Sequence, residues 1–286
     1  MVLFNSNDSF RRLTQGIFPL TNSPLVQCIT NEITCESMAN ALLYIDAKPI
    51  MADDAREFAE LFDQTNSLLL NLGHLSMERE QNLLAAGRFA EQTQTPVVID
   101  LVGVAATELR YELAHQLAAY RPTVIKGNSS EMRAYCGLQS SARGVDASAA
   151  DQEEEQLLLL AKAMQAEANQ HPGTVYLATG EKDLVVSSTH ASFLANGVAE
   201  LDRFTGTGDI VGALIAALLG VGNDAFVATI TAVSYFNLCG EAARKRTTGL
   251  ANFRQETLNQ LSLLMNQVDW AADIRGGSLW QTTVYI

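Results

Sequence analysis

The sequence predicts an α/β protein with a mostly parallel central sheet and helices on both faces of that sheet. Two observations lead to this prediction. Short apolar runs alternate with helical patterns through the first half of the chain, which is typical of successive strand–helix–strand units. The runs are continuous rather than alternately polar and apolar, as expected for strands that helices cover on both sides.

Five predicted strands in the first half are each followed by a predicted helix. The strands are expected at residues 24–30, 48–52, 67–73, 96–102 and 122–128. The helices that follow them are expected at residues 31–46, 53–64, 76–92, 107–119 and 129–136. Since strand–helix–strand units cross over with one handedness, the sheet they form should be parallel.

The second half of the chain predicts a different arrangement. A polar stretch over 139–156 indicates a loop that leads into a helix at 153–169. Three short β-rich runs then predict hairpins at one edge of the sheet, and they lie at 174–180, 183–189 and 191–197. The last long helices are expected at 208–220, 224–246 and 252–267.

The tail over 270–286 fits two interpretations, an added strand and a docking segment. The sequence contains no internal repeat and no linker rich in proline, glycine or serine. We therefore expect a single domain over residues 1–286.

Composition restricts the class of function. The chain has 286 residues and a formal net charge of −13, and so acidic a surface repels nucleic acids and anionic membranes. It does not exclude a phosphorylated ligand, because backbone amides and a metal ion can hold phosphate locally. The four cysteines form no CxxC pair, and no secretion signal is evident, so we expect reduced thiols in a cytoplasmic protein. The most apolar stretches, 210–221 and 225–240, are shorter than the roughly 18–20 residues of a membrane span and predict buried helices.

Polar or small residues stand at or just past the ends of several predicted strands. They are Asn71, Asp100, Lys126, Gly127, Asn128, Glu131, Thr179 and Gly180. In open α/β sheets ligands bind beyond the carboxyl ends of the strands, so these residues are expected to meet at one edge of the sheet. Each has a structural alternative: Asp100 could cap a turn, and Asn128 with Glu131 could form a capping box. Their convergence on one place is what favours a binding site.

The segment TGTGD, residues 205–209, places a carboxylate at the start of an apolar helical run. Gly206 and Gly208 allow a tight turn, and the free N–H groups of the helix start attract an anion or developing negative charge. Asp209 would then accept a proton from a hydroxyl that attacks a phosphoryl group. The structural alternative is that Asp209 only complements the helix dipole. The chain has no GxxxxGK[ST] segment, no His/Cys cluster with zinc spacing and no GxSxG elbow.

Taken together, the motifs resemble the hydroxyethylthiazole kinase family of the ribokinase-like superfamily. The matching segments run in order over about residues 20–265. They include PLVQCITNEIT, AKPIMA, LLLNLGHL, TPVVIDLVGV, VIKGNSSEM, RGVDA, TGEKD and TGTGD. GTGD alone marks only the superfamily, whereas PLVxCITN and KGNSSE in series are much more specific.

The resemblance implies a ribokinase-like fold and an ATP-dependent kinase for the primary alcohol of 5-(2-hydroxyethyl)-4-methylthiazole in thiamine salvage. It also implies a homotrimer with active sites between subunits. By matching position, Asp209 is the base, and Met51 and Gly206 contact the thiazole. Many members of the family have cysteine where this chain has Asp209, and aspartate is the general choice of the superfamily.

The same resemblance places the nucleotide and its metal ion. Lys126 and Thr179 are implied to contact ATP, and Asp100 and Glu131 to lie near Mg²⁺ and the phosphates. The family usually has arginine where this chain has Lys126. Lysine keeps the charge but lacks the bidentate geometry of arginine.

Three other functions compete with the thiazole kinase. One is a kinase of the same superfamily for another small alcohol, of the pyridoxal or hydroxymethylpyrimidine type. The second is an ADP-dependent NAD(P)H-hydrate dehydratase, which also carries GTGD, and the third is a regulatory protein that retains the pocket without catalysis. The PLVxCITN and KPIMA segments favour the thiazole kinase over all three.

Overall fold

A computed structural model of the protein describes residues 4, 5, 7–138, 149–267 and 269–281. Ten strands in these residues form one sheet. They are β1 (Phe4–Asn5), β2 (Leu25–Ile29), β3 (Lys48–Ile50), β4 (Ser67–Asn71), β5 (Val97–Asp100), β6 (Val124–Asn128), β7 (Val175–Thr179), β8 (Asp183–Val186), β9 (His190–Leu194) and β10 (Gly276–Gln281).

The order of the strands across the sheet is β1-β10-β9-β8-β7-β6-β5-β4-β2-β3. The strands from β7 to β3 pair in parallel, whereas β1, β10, β9 and β8 form antiparallel pairs up to β7. The predicted parallel sheet and the predicted hairpins at its edge are therefore both confirmed.

Ten α-helices lie in the described part of the chain. They are α1 (Asn7–Thr14), α2 (Cys35–Tyr44), α3 (Phe58–Phe62), α4 (Met77–Thr93), α5 (Glu108–Ala118), α6 (Ser129–Tyr135), α7 (Ala149–Gln170), α8 (Thr207–Gly220), α9 (Ala225–Arg244) and α10 (Leu250–Leu264). None of these helices has the length and apolarity needed to cross a membrane.

Helices cover both faces of the sheet, which explains why the strands are continuously apolar. Successive side chains of a strand point to opposite faces. Leu69 of β4 packs in a core with α2, α8, α9 and α10, while its neighbours Leu68 and Leu70 pack in a second core with α3 to α7. Burial on both sides makes the strand interiors mostly apolar, with exceptions such as Gln27 of β2 and Lys126 of β6, and most polar groups therefore lie toward the strand ends.

Several predicted helix boundaries are wrong by a few residues. The helix predicted at 31–46 begins only at Cys35, because the preceding residues form a turn in which Asn31 Oδ1 accepts hydrogen bonds from the N–H and the hydroxyl of Thr34, both at 3.1 Å. The helix predicted at 53–64 is the short α3. The helices α1 and α7 add residues that the sequence did not assign to helix.

The loop prediction over 139–156 is wrong in its second part, since α7 begins at Ala149. Its first part, 139–148, lies outside the described residues and includes the RGVDA segment. For the tail, the structure decides between the two interpretations up to Gln281. Residues Gly276–Gln281 form an added strand, antiparallel to β9.

Candidate active site

Polar side chains at the ends of neighbouring parallel strands meet, as the sequence predicted. The register pairs Asn71 of β4 with Asp100 of β5, and Asp100 with Lys126 of β6. At the end of β6, Asn128 pairs with Thr179 of the next strand, β7. The carboxyl ends of four adjacent strands therefore form one row of polar groups.

Three side-chain donors surround the carboxylate of Asp209. Its Oδ2 accepts hydrogen bonds from the Thr34 hydroxyl at 2.5 Å and from Asn31 Nδ2 at 3.2 Å. Its Oδ1 accepts one from Asn71 Nδ2 at 2.9 Å. We call Asn31, Thr34 and Asn71 the Asp209 cage. These donors come from the ends of β2 and β4, so the first turn of α8 is tied to the edge of the sheet.

The start of α8 requires glycine at position 206. Gly206 has φ +98°, in the left-handed region that disfavours other residues. A Cβ at this position would also lie 2.8 Å from Thr34 Cγ2. The Asp209 side chain does not cap the helix, because the N-cap residue is Gly206 and the hydrogen bonds of Asp209 go to the cage. Asp209 lies in the first turn of α8, where a carboxylate also complements the helix dipole, but its side-chain hydrogen bonds tie it to the cage.

Lys126 and Asp100 form a buried ion pair. Their Nζ and Oδ2 atoms are 2.7 Å apart, and both side chains are 2% exposed. The same Asp100 oxygen accepts a 3.4 Å hydrogen bond from Asn71 Nδ2, so Asn71 links the pair to Asp209. The pair needs both members, because one charge left alone in such a place is strongly destabilising.

The Lys126 ammonium also lies beside the first turn of α8. A Cβ on Gly208 would be 3.5 Å from Lys126 Nζ. The ammonium and the free N–H groups of the helix start place positive potential at one point, between two carboxylates. Burial raises the pKa of Asp100, Lys126 opposes this effect and the nearby Asp209 adds to it, so that the pKa is about 6. This arrangement suits an anion that arrives together with a cation.

Glu131 forms the capping box that was predicted as its structural alternative. Asn128 Oδ1 accepts from the Glu131 N–H at 2.9 Å, and Glu131 Oε2 accepts from the Asn128 N–H at 2.8 Å. Glu131 Oε1 accepts from the N–H of Gly103 at 2.9 Å. Its carboxylate is thus held by backbone groups of two strand-end loops, close to the edge where Asp100 lies.

The residues at this edge do not form a metal cage by themselves. Within the described part of the chain, no group of three or more His, Cys, Asp or Glu side chains is placed to hold a metal ion. Asp100 and Glu131 have other partners, but each carboxylate oxygen retains lone pairs for a water molecule. This donor set fits Mg²⁺ that is bound mainly by phosphates and water, as is usual at phosphoryl-transfer sites.

A cavity of about 780 Å³ opens next to the start of α8. Its polar lining comes from the turns after β6, β7 and β9, and its apolar lining includes Val198, Val211, Val233 and Phe236. Thr207 and Gly208 form the wall where the cavity meets α8. The size and mixed lining suit a ligand as large as a nucleotide.

Apart from Gly206 and Glu131, which are described above, the predicted site residues lie in three places. Asp209, Asp100 and Lys126 are brought together through Asn71. Thr179 lines the cavity. Met51 follows β3, the outermost parallel strand, where it is partly buried against the core.

Sequence reasoning missed two members of the Asp209 cage. Asn31 and Thr34 follow β2 in the same way that Asn71 ends β4, so the rule of polar residues at strand ends would have found Asn31. The predicted helix at 31–46 hid it. The sequence analysis also did not single out Asp183, which lies at the start of β8. In the structure it lines the cavity and is 3% exposed.

Known proteins resemble this chain over nearly its whole length. The model of the hydroxyethylthiazole kinase family matches residues 20–267. Hydroxyethylthiazole kinase of Lacticaseibacillus casei (strain BL23) is 61% identical over 274 residues, which cover 95% of this chain and 98% of that protein.

Solved structures show the same fold. The structure of the hydroxyethylthiazole kinase protein from Pyrococcus horikoshii OT3 is similar with a TM-score of 0.80 at 25% identity, covering 96% of this chain and 98% of that chain. An ADP complex of Bacillus subtilis pyridoxal kinase has a TM-score of 0.58 at 16% identity, over 80% of this chain and 94% of that chain. The second likeness concerns the fold alone.

Proposed function

We propose that this chain, which belongs to the hydroxyethylthiazole kinase family, transfers the γ-phosphoryl group of ATP to the hydroxyl of 5-(2-hydroxyethyl)-4-methylthiazole. Its fold is ribokinase-like. The observation that carries the proposal is the carboxylate of Asp209, held by three donors beside the N-terminus of a buried helix. The reaction would serve thiamine salvage in the cytoplasm.

ATP is assigned to the large cavity. Thr179 lines it, and Thr207 and Gly208 of α8 close it on the side of Asp209. With the adenine base of ATP in the cavity, the phosphates would reach the free N–H groups of α8 and the Lys126 ammonium beside them. These groups would stabilise the charge that develops on the transferred phosphoryl group.

Asp209 is assigned as the general base. The substrate hydroxyl must lose its proton as it attacks, and a carboxylate at the start of α8 stands next to the assigned position of the phosphates. Asn31, Thr34 and Asn71 fix the orientation of this carboxylate before the substrate arrives. Such positioning lowers the barrier because no reorganisation is needed at the moment of proton transfer.

Mg²⁺ is assigned to the edge where Asp100 and Glu131 lie. When bound, it would neutralise charge on the phosphate oxygens. Asp100 and Glu131 would hold it through water, since both carboxylates already have partners. Lys126 would keep the Asp100 carboxylate in place during this contact.

The thiazole is assigned to Met51 and Gly206. Met51 follows the outermost parallel strand, and Gln27 Nε2 donates to the carbonyl oxygen of Ala52 at 3.0 Å, which fixes the segment that carries Met51. A position at the end of the parallel sheet is compatible with a site completed by a second subunit. We therefore include the homotrimer with inter-subunit sites in the proposal.

The test is a panel of small alcohols with ATP, read by ADP release and by mass spectrometry of the product. We expect a phosphorylated product from hydroxyethylthiazole, with kcat/KM well above the values for pyridoxal and hydroxymethylpyrimidine. A preference for either of those alcohols would show that the chain acts on a different substrate. ATP consumption without any phosphorylated alcohol would contradict the kinase activity itself.

A further inference from the structure

The loop after β9 forms one wall of the large cavity. Asn196, Gly197 and Val198 line the cavity here. Gly197 has φ +125°, so the loop turns in a conformation that glycine favours. A wall of this kind keeps its shape only if other residues hold its backbone in place.

Two residues of α9 hold this loop. Asn237 Nδ2 donates to the carbonyl oxygen of Asn196 at 3.0 Å and to Asp183 Oδ2 at 2.8 Å. One helical turn later, Glu241 Oε1 accepts from the Gly197 N–H at 2.8 Å and from Asn196 Nδ2 at 3.1 Å. Residues four apart share a face of a helix, so α9 presents both side chains to the same loop.

The Asp183 contact extends this network to a second part of the cavity wall. Asp183 Oδ1 accepts from the N–H of Gly180 at 3.0 Å, and Gly180 lies in the turn after β7 that also lines the cavity. Through Asn237, the network therefore connects the loop after β9 with the turn after β7, which both line the cavity.

Arg275, just before β10, anchors the other end of the network. Its guanidinium makes two contacts with the Glu241 carboxylate, Nη2 to Oε1 at 2.6 Å and Nη1 to Oε2 at 3.2 Å. Its backbone N–H donates to Asn196 Oδ1 at 2.7 Å. Planar two-point contacts of this type fix a carboxylate more firmly than a single contact does. Arg275 lies beyond residue 267, where the match to the family model ends.

We infer that Arg275 and Glu241 are positioning residues for the nucleotide, through which the C-terminal strand holds the wall of the cavity. This inference rests on the proposed function, which assigns ATP to the cavity. Neither residue lines the cavity, so each acts through Asn196 and Gly197. Asp209 and the assigned thiazole contacts, Met51 and Gly206, do not line the cavity and are not part of the network.

The inference is tested with Arg275→Ala, Arg275→Lys and a matched control, Arg11→Ala. Arg11 also forms an ion pair near the tail, with its Nη2 atom 2.7 Å from Asp269 Oδ1. The side chain of Arg11 is 44% exposed and that of Arg275 is 49% exposed. Arg11 and Asp269 do not line the large cavity. The two arginines are thus similarly exposed, but the carboxylate of Glu241 is 15% exposed and holds the cavity loop, whereas that of Asp269 is 67% exposed.

We expect Arg275→Ala to raise KM for ATP and Kd for ADP by about two- to fivefold, the range of a partly exposed ion pair. The kcat and the KM for the alcohol should stay within a factor of two, roughly. Arg275→Lys should recover part of the loss, and Arg11→Ala should leave all four constants unchanged. Glu241→Ala should act in the same direction and more strongly, because it leaves two loop donors without their acceptor.

An unchanged KM for ATP in Arg275→Ala would overturn the inference, and so would an equal increase in Arg11→Ala. Both outcomes would leave the proposed kinase activity intact. If the wild type neither binds ADP nor turns over ATP, the proposed function itself fails, and the inference fails with it.

Discussion

Replacing Asp209 by asparagine tests the proposed mechanism most directly. The substitution keeps the size of the side chain but removes its ability to accept a proton. Loss of a general base costs on the order of 10²–10⁴ in rate, so kcat should fall by that factor. KM for the alcohol should change far less, because the assigned thiazole contacts, Met51 and Gly206, are kept.

The cage also predicts a loss of stability. In Asp209→Asn, the introduced amide can keep its carbonyl oxygen toward Thr34 and Asn31, but its NH₂ group then faces Asn71 Nδ2, which donates to Asp209 Oδ1 in the wild type. A buried hydrogen bond to a charged group is replaced by two opposed donors, which costs about 2–3 kcal/mol. At roughly 2 °C per kcal/mol for a chain of this size, Tm should fall by about 5 °C.

The assay measures kcat by ADP release at saturating ATP and alcohol, at a temperature well below the Tm of the least stable variant. The Tm of each variant is measured alongside. Thr34→Val is the matched control, because it removes one cage donor at 2.5 Å and keeps the carboxylate. It should lose a similar amount of stability and much less kcat than Asp209→Asn. An Asp209→Asn enzyme with kcat within a factor of about three of the wild type would refute the base assignment.

Three further results are expected. Excess chelator should abolish turnover, and full activity without divalent cations would contradict the assignment of Mg²⁺ beside Asp100 and Glu131. Light scattering should give the mass of a trimer, and a fully active monomer at assay concentration would contradict inter-subunit sites. Burial, with a smaller effect of Asp202, raises the pKa of Asp183 from 3.8 to about 7. Between these pH values the folded chain holds a proton that the unfolded chain has lost, so the free energy of unfolding should fall as pH rises from about 4 to 7. In urea titrations at several pH values, Asp183→Asn should show a smaller fall in the free energy of unfolding over this range. An unchanged fall would contradict the role given to Asp183.

The row of polar strand ends could be predicted because each strand is buried on both faces. A buried parallel strand admits apolar residues until it leaves the sheet, so Asn71 and Asp100 mark the strand ends in the sequence itself. Asn31 obeys the same rule, but its short turn to Thr34 is held by side-chain hydrogen bonds. Helical periodicity does not distinguish such a turn from the first turn of a helix.

The network behind the large cavity could not be predicted from local patterns. Asn196 and Arg275 are 79 positions apart in the chain, and their contact exists only because β10 pairs with β9. The sequence pattern of the tail does not show which strand it pairs with. An added strand and a docking segment are therefore equally compatible with that pattern. The contacts of Met51, Gly206, Lys126 and Thr179 with ligands are predictions that come from the family resemblance.

The first turn of α8 has different neighbours on two sides. Thr207 and Gly208 face the large cavity, and Asp209, the next residue, faces the cage on the other side. The axial spacing between these residues is the helical rise of about 1.5 Å per residue. In the proposed reaction, nucleotide and alcohol would therefore be positioned against the same helical turn, whose residues keep fixed positions relative to one another however the surrounding loops move. Substitutions in those loops would then alter which molecule binds, while the position of Asp209 relative to Thr207 and Gly208 stays the same.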